Sequence, residues 1–544
     1  MQKSWSPPTL RLEPSRLAAW AAAGLPGQGG SSVPSGQPAA TDASIPWADL
    51  LDAVERREWR GRRLAGITDD SRAVRAGGIF VACPGRSRDG HDFAAEARAR
   101  GAALVVSERP AGGAGPTCLV ADSRVAISAL ADAWHGHPAR RLRVVGVTGT
   151  NGKTTTTWLL ASILGAAGQP ACVIGNLGVW LQGERWVRPP WTTPPPMELH
   201  GILAAAEARG ATAVSMEVSA QALSQHRVDH CCFAAGAVTN LSREHGEYFA
   251  TAAEYRQAKL RLLRLVEAGP HPAGVALFAG LPGLGEFRRS CRTPQVLFGP
   301  HGDIEVLQVH PRGLEGTDVI LRLTAGGGRM YPIRFPLPGA HNLENMLAAA
   351  ALAALLGVPG EQIAAGLAQA RGVPGRLQHV QAHPYRVLVD YAHNPAGLRA
   401  LLGLLRRETP GSLVLVMGAR GQRDGPKRVL MGAVAAAFCD RIVLTSDRPD
   451  GEDPAEAAGG MRAAVADVGV PVAFVADRFR AMEAALGGVR PGDCVVAVGK
   501  GEEAWGADDS GLPGNWDDVT ALERILQALG PSRQRRHSPA GARG

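Results

Sequence analysis

The stretch GVTGTNGKTTTTWLL, residues 146–160, constrains this chain more than any other. An apolar strand runs into a small polar turn holding two glycines, and from there straight into a helix. Glycines leave the turn's backbone N–H groups uncovered, the helix start adds a positive dipole end, and Lys153 adds a mobile cation. Such a turn is a cradle for phosphate. It departs from the pattern GxxxxGK[ST], because Val147 stands where a glycine is required. What remains, TGTNGKTT, makes Gly149, Thr150, Asn151, Gly152, Lys153, Thr154 and Thr155 candidates for nucleotide binding. Lys153 suits the β- and γ-phosphates, and the Thr154 hydroxyl suits Mg2+.

Composition sharpens the choice of further residues. Of 58 basic residues only five are lysine, at 3, 153, 259, 427 and 500. A lysine that survives in such a chain marks a place needing a compact charge or a reactive amine, which guanidinium cannot supply. Lys259 lies in EYRQAKLRLL, among leucines that favour burial, and a buried unpaired ammonium is costly. It is therefore expected to be paired or chemically modified. Asparagine is similarly rare, at 151, 176, 240, 342, 345, 394 and 515, with several of these in motif-like turns. In SMEVSAQAL, Glu217 falls just past a strand, placed to complete a Mg2+ site with Thr154, since that ion takes few protein ligands. His245, in TNLSREH, is a further candidate.

At 544 residues the chain is too long for one core. The reading gives a flexible extension over 1–45, a small α/β unit over 46–138 and a central unit over 139–372. A third unit covers 373–530, and a basic tail 531–544. The third unit alternates strand and helix cleanly, which implies a doubly wound parallel sheet. In such sheets ligands lie beyond the carboxyl ends of the strands, where Thr150–Thr155, Glu217, Ser219, Asn240, Asp390, Gly418, Asp447 and Gly499 fall. RGVPGR, 371–376, is the expected hinge. Half of the +8 net charge comes from Arg533, Arg535, Arg536 and Arg543 in the tail, which argues against a nucleic-acid partner. The longest apolar run, Met346–Val358, is too short to span a bilayer. No secretory signal is read, and eight cysteines without CxxC pairs fit a reduced, cytoplasmic protein.

Together, GVTGTNGKTT, MEVSAQAL…HRVD, TNLSREH…EYRQAK, GAHNLENMLAA, GVPGR, VDYAHNP and SDxP resemble the Mur ligase superfamily over roughly residues 50–525. The likeness is nearest to its MurE-type branch, the UDP-N-acetylmuramoyl-dipeptide ligases. The resemblance implies three α/β domains: an N-terminal uridine-binding unit, a central P-loop-type parallel-sheet ATPase and a C-terminal Rossmann-like doubly wound domain. It implies that Lys259 is carbamylated and binds a second Mg2+; only a primary amine reacts with CO2 in this way. Glu217 and His245 match metal positions, Asn342 and Asn345 adenine contacts, Arg376 a γ-phosphate contact and Asp390 a ribose contact. Thr192, Thr193, Ser219 and Arg227 match positions that hold the UDP-muramoyl substrate, and Ser71 and Arg72 the uridine-binding segment. Arg423, Arg448, Asp450, Gly499 and Glu503 match the region that receives the amino acid. The implied reaction joins a free amino acid to UDP-MurNAc-L-Ala-D-Glu through an acyl phosphate, using ATP and two Mg2+, in a monomer.

Several positions depart from the family pattern. Pro195 replaces an acid in TTPPP, Gln221 a histidine in SAQAL, and Glu502 a histidine in GKGEE; LFAG stands where Asn-x-Asp-Asp is common. Most telling, DRPD (447–450) stands where diaminopimelate-adding enzymes carry DNPR. Asp450 would attract an ammonium and repel a carboxylate, which favours lysine or ornithine, whereas Arg448 could restore pairing with diaminopimelate. Two rival readings remain. YAHNPAGL is also similar to folylpolyglutamate- or cyanophycin-type ligases, although TDDSRAVRAGGIFVA argues for a uridine unit. A catalytically idle binding protein is opposed by the intact Lys153, Thr154, Glu217, His245 and Lys259.

Overall fold

The computed structural model describes residues 44–85, 88–112, 115–188, 190–242, 248–324, 328–419, 421, 425–447, 450–466, 468–503, 505 and 516–534. Most of the expected N-terminal extension and basic tail lies outside them, as do three candidate residues, His245, Arg423 and Arg448. The chain divides into two compact units.

The first unit combines the chain up to Leu142 with Pro194–Arg209 and Ala222–Cys231, two segments from within the expected central span. Its sheet is parallel, in the order Ile67–Thr68, Ile79–Val81, Leu104–Ser107, Thr117–Leu119. Strands Ile79–Val81 and Leu104–Ser107 are buried at every residue, as expected of a parallel sheet covered on both faces. Leu50, Val54, Ile79, Leu104, Ile127 and Leu130 form its core, with Met197 of helix Pro196–Ala208 packed against them.

The second unit holds two sheets. The larger has eleven strands. Seven run parallel, in the order Ala171–Gly175, Ala213–Glu217, Arg143–Thr148, Ala235–Val238, Gly274–Phe278, Gln295–Phe298 and Ile304–Pro311. The expectation of a parallel sheet describes this centre but not its edges. Hairpin Gly178–Leu181/Glu184–Val187 extends one side, and strands Thr317–Leu323 and Arg329–Phe335 the other, all antiparallel. Strand Thr317–Leu323 alternates buried and half-buried residues, the period-two pattern of an antiparallel strand. Beneath the sheet, helix Lys153–Ala166 meets helix Ala340–Leu355, whose run Met346–Ala353 is wholly buried. The small alanine side chains let that helix lie close, so the longest apolar run of the sequence is core.

The smaller sheet has the order Gln378–Gln381, Arg386–Asp390, Cys494–Val498, Leu413–Ala419, Arg441–Ser446, Val472–Phe474. All but the first pair are parallel, which is the doubly wound domain expected from the alternation. Because strand Arg386–Asp390 pairs with the last strand rather than the next, Asp390 and Val498 end side by side. The loops after them, 391–394 and 499–503, are thereby brought together, as Gly499 N–H to Asp390 O (3.2 Å) records. All eight cysteines are free thiols, and among the described residues no helix is long and apolar enough to cross a membrane.

Candidate active site

The turn after strand Arg143–Thr148 is held open by glycine. Gly149 has φ +147° and Gly152 φ +86°, the latter ending the turn as an N-cap without a side-chain cap bond. A Cβ on Gly149 would run into the Thr239 side chain, and one on Gly152 into the Asn345 amide, so at either position a larger residue forces that neighbour to move and strains the backbone. The turn is fixed from the end of the adjacent strand. Thr150 N–H donates to Asn240 O (3.1 Å) and Asn151 N–H to Asn240 Oδ1 (2.8 Å). Thr239 Oγ1 donates to Asn151 O (2.6 Å), and Asn394 Nδ2 to Asn151 Oδ1 (2.8 Å). Lys153 Nζ folds back onto Gly149 O and Thr150 O, both at 2.9 Å.

Thr154, Glu217 and Arg376 form the centre. The Thr154 hydroxyl donates to Glu217 Oε1 (3.0 Å), which also accepts from Asn176 N–H (2.9 Å). Arg376 Nη2 donates to Thr154 Oγ1 at 3.1 Å across 222 residues of chain. Thr154 and Glu217 are 4% and 2% exposed, so this carboxylate works in a nearly dry setting where charge counts strongly. Arg376 Nε is buried without a hydrogen-bond partner, a donor still open to an anion. Lys259 is also buried, in helix Ala252–Glu267, with Nζ 4.4 Å from the Tyr255 ring centroid. The Tyr255 hydroxyl in turn lies 3.3 Å from Thr150 Oγ1, so Lys259 neighbours the turn.

Beside this centre opens a cleft of about 330 Å³, lined in part by Thr155, Leu337, Asn342, Val373, Arg376 and Gln378. Asn342 Nδ2 donates to Pro338 O (2.8 Å) and Asn345 Nδ2 to Asn342 Oδ1 (3.2 Å). Asp390 accepts from Leu377 N–H and Ala392 N–H, each at 2.7 Å, and so pins the expected hinge to the C-terminal sheet. Each of its oxygens keeps a second lone pair for a hydroxyl.

The remaining candidates lie as follows. Thr193 is 1% exposed, donating to Glu217 O (2.8 Å) and accepting from Ser219 N–H (3.1 Å), so its bonds are internal. Thr192 Oγ1 lies on Asn176 Oδ1 (3.3 Å). Within the first unit, Ser71 Oγ donates to Glu96 Oε2 (3.2 Å), Arg72 forks onto Asp70, and Arg227 Nε donates to Gln225 Oε1 (2.9 Å). Asp70 is held below the usual carboxylate range chiefly by Arg72. At the carboxyl ends of the C-terminal sheet's strands, Asp450 is exposed with φ +45°, and Glu503 accepts from the Tyr391 hydroxyl (2.5 Å). Gly499 has φ +104° and faces buried Asp447, which lies 3.7 Å from Lys500 Nζ.

Asn176, Tyr255 and Tyr391 are among the residues of this arrangement that had no role in the sequence reading, as are Thr239 and Asn394. The scarcity of asparagine was the signal for the first. Six of the seven asparagines now stand within the network around the turn and cleft, and the seventh, Asn515, lies outside the described residues.

Known proteins resemble this chain over most of its length. Family models match at residues 63–138 (Mur ligase family, catalytic domain), 147–353 (Mur ligase middle domain) and 375–501 (Mur ligase, glutamate ligase domain). A UDP-N-acetylmuramoyl-L-alanyl-D-glutamate–2,6-diaminopimelate ligase of Streptomyces coelicolor is 35% identical over 89% of this chain and 97% of its own length. One from Gloeobacter violaceus is 39% identical over 81% and 89%. A UDP-N-acetylmuramyl-tripeptide synthetase of Roseiflexus is 34% identical over 86% and 95%. Among solved structures, a diaminopimelate ligase of the same name superposes with TM-score 0.61 at 27% identity, covering 87% of this chain and 96% of that one. MurF of Acinetobacter baumannii shares the fold at TM-score 0.60 and 21% identity, over 89% and 98%. With the cradle and its oxygen pair inside the matched middle domain, this chain belongs to the Mur ligase family.

Proposed function

We propose that this Mur ligase is an ATP-dependent ligase that joins a diamino acid to UDP-MurNAc-L-Ala-D-Glu in peptidoglycan precursor synthesis. The observation that carries the reading is the Arg376–Thr154–Glu217 chain beside the glycine turn. It gathers a cation for phosphate, a hydroxyl and a carboxylate for Mg2+, and no nucleophilic dyad, which suits activation of a carboxylate by phosphoryl transfer. Names of the relatives support the substrates.

Among the described residues no three His, Cys, Asp or Glu side chains converge on a metal site. Two oxygen donors, Thr154 and Glu217, nevertheless fit Mg2+, which draws its other ligands from phosphates and water. When bound, Mg2+ neutralises charge on the transferring phosphoryl group. In this reading Lys153 leaves the loop carbonyls to meet the β- and γ-phosphates, and Arg376 turns its open Nε toward the γ-phosphate. Asn342 and Asn345 hold adenine and Asp390 the ribose. The glutamate carboxylate of the substrate takes the γ-phosphoryl group, and the incoming amine then displaces phosphate through a tetrahedral intermediate. Lys259 acts as a carbamate: its neutral amine bonds to the carbon of CO2 and releases a proton, giving a carboxylate for a second Mg2+. His245 is proposed as its companion. In the first unit Ser71, Arg72 and Arg227 take parts of the UDP-muramoyl substrate, and in the second Thr192, Thr193 and Ser219 do so. The enzyme acts as a cytoplasmic monomer, where ATP and the nucleotide-sugar substrate are found.

On the acceptor, Asp450 and the relatives point in different directions. The relatives' names favour diaminopimelate, while an acid at 450 favours lysine or ornithine, whose distal end is an ammonium alone. Phosphate release from ATP with UDP-MurNAc-L-Ala-D-Glu and each of these amino acids in turn tests the reading. Release is expected only when both substrates are present. Release with a folate or a free peptide in place of the UDP substrate would sink it in favour of a folylpolyglutamate- or cyanophycin-type ligase. Turnover with diaminopimelate and none with lysine or ornithine would sink the charge argument at Asp450.

A further inference from the structure

Tyr391 follows strand Arg386–Asp390, and its two ends serve different neighbours. The guanidinium carbon of Arg376 lies 4.2 Å from the ring centroid, within range of a cation–π contact. That guanidinium reaches Thr154 through Nη2 while its buried Nε has no hydrogen-bond partner. The flat ring therefore supports an arginine whose Nε donor is still open. At its other end the Tyr391 hydroxyl donates to Glu503 Oε1 at 2.5 Å, a charge-assisted bond. Glu503 is further placed by its N–H to Lys500 O (2.9 Å). His393 boxes the ring from a third side, with ring centroids 4.9 Å apart at 70°. Phenylalanine would keep the ring support and lose the hydroxyl bond; leucine would lose both.

We propose that Tyr391 is a positioning residue that couples the two halves of the ligase site, its ring setting Arg376 for the transferred phosphate and its hydroxyl setting Glu503 for the acceptor amino acid. The proposal rests on the function given above. It explains why a tyrosine stands at this position. Tyrosine, tryptophan and histidine all carry both an aromatic face and a hydrogen-bond donor, but only tyrosine donates through a hydroxyl in line with its ring axis. It also links the two loops that the topology brings together, so that the phosphate end and the acceptor end are set by one rigid group.

The test is steady-state kinetics of the full chain with ATP, UDP-MurNAc-L-Ala-D-Glu and whichever diamino acid the wild type uses, for Tyr391→Phe, Tyr391→Leu, Glu503→Gln and the double variant Tyr391→Phe/Glu503→Gln. Loss of a hydrogen bond to a charged group is expected to raise KM for the amino acid about tenfold in Tyr391→Phe. KM for ATP is expected to shift by less than about twofold in that variant. Tyr391→Leu should add a fall in kcat of about tenfold or more, through the unsupported arginine. In the double variant the hydroxyl should have no further effect beyond Glu503→Gln, because it acts through that carboxylate. This split between KM and kcat is what a merely structural tyrosine would not produce. Tyr391→Phe with an unchanged amino-acid KM, or fully additive effects in the double variant, would overturn the coupling while the wild type stays active. A wild type inert with every acceptor would overturn the functional reading and the coupling together.

Discussion

The two ends of the second unit's site are built on different terms. At the phosphate end, buried or half-buried groups from five separated segments converge on one turn: Asn176, Glu217, Thr239 with Asn240, Arg376 and Asn394. At the acceptor end, Asp450 is exposed, and Glu502 and Glu503 are half-buried on a loop. The phosphate end also carries the stretches that resemble the family's motifs, while Asp450 and Glu502 are among the departures expected from the sequence. The difference follows from chemistry. Moving a phosphoryl group makes the same demand on charge and position whatever the acceptor, so that end tolerates little change. The acceptor end answers only to the molecule it receives, and an exposed loop changes at small cost to stability.

Breaking the phosphate end should therefore give the largest losses. Lys259→Arg keeps a positive charge and a long stem but removes the amine that can take up CO2. It is expected to lower kcat/KM by about a thousandfold, the scale of losing a preorganised electrostatic group. Intact-mass and thermal-melting measurements on the same preparation check that the variant is folded. A variant with near-wild-type turnover would remove the carbamate from the mechanism.

A milder break of the same end is Gly152→Ala. The added Cβ meets the Asn345 amide, and φ is +86° there, a region alanine avoids. A cost of about 1–2 kcal/mol is expected, and if it falls on binding, KM for ATP rises about tenfold. Calorimetric titration with a non-hydrolysable ATP analogue separates affinity from turnover. Unchanged affinity would mean that the turn relaxes around Asn345 and that its glycine is less constrained than its geometry implies.

The same contrast decided what could be read in advance. Motif and composition pointed to the phosphate end: the glycine turn singled out Lys153, the scarcity of lysine drew attention to Lys259, and the family resemblance named Asn342 and Asn345, of which Asn342 lines the cleft. The alternation of strands and helices gave the doubly wound C-terminal sheet, because period and length are local properties. The antiparallel edges of the large sheet were missed, since edge pairing is settled by partners far along the chain. Tyr391 was missed for a related reason. Its role lies in two contacts, one to a residue 15 positions earlier and one 112 positions later, and no spacing in sequence announces them. Helix Pro196–Ala208, inside the span 139–372, packs with the core of the first unit, another long-range outcome.

The smallest expected effect belongs to the acceptor end and sharpens the contrast from the other side. Glu502, which replaces the family's histidine, accepts from Arg185 Nη1 at 3.0 Å, and Arg188 donates to its backbone oxygen. Arg185 also lies over the Trp180 ring, 5.4 Å from its centroid, so hairpin Gly178–Leu181/Glu184–Val187 is tied to the loop after strand Cys494–Val498. Burial raises the Glu502 carboxyl above its ordinary value, and Arg185 and Arg188 work against that rise. With Arg185 exposed and Glu502 half-buried, this ion pair contributes modestly and is partly screened by salt. Arg185→Ala should therefore change kcat/KM by less than about fivefold at low ionic strength, and the difference should shrink near 0.5 M salt, where the Debye length falls to about 4 Å. The decisive comparison is Glu502→His, which restores the family residue while removing the acceptor for Arg185. If it behaves like Arg185→Ala, position 502 serves only the strap to the hairpin. If it instead changes which diamino acid is used, the loop at 499–503 reads the acceptor through residue 502 as well as Glu503, and the acceptor end is under tighter constraint than its exposure indicates.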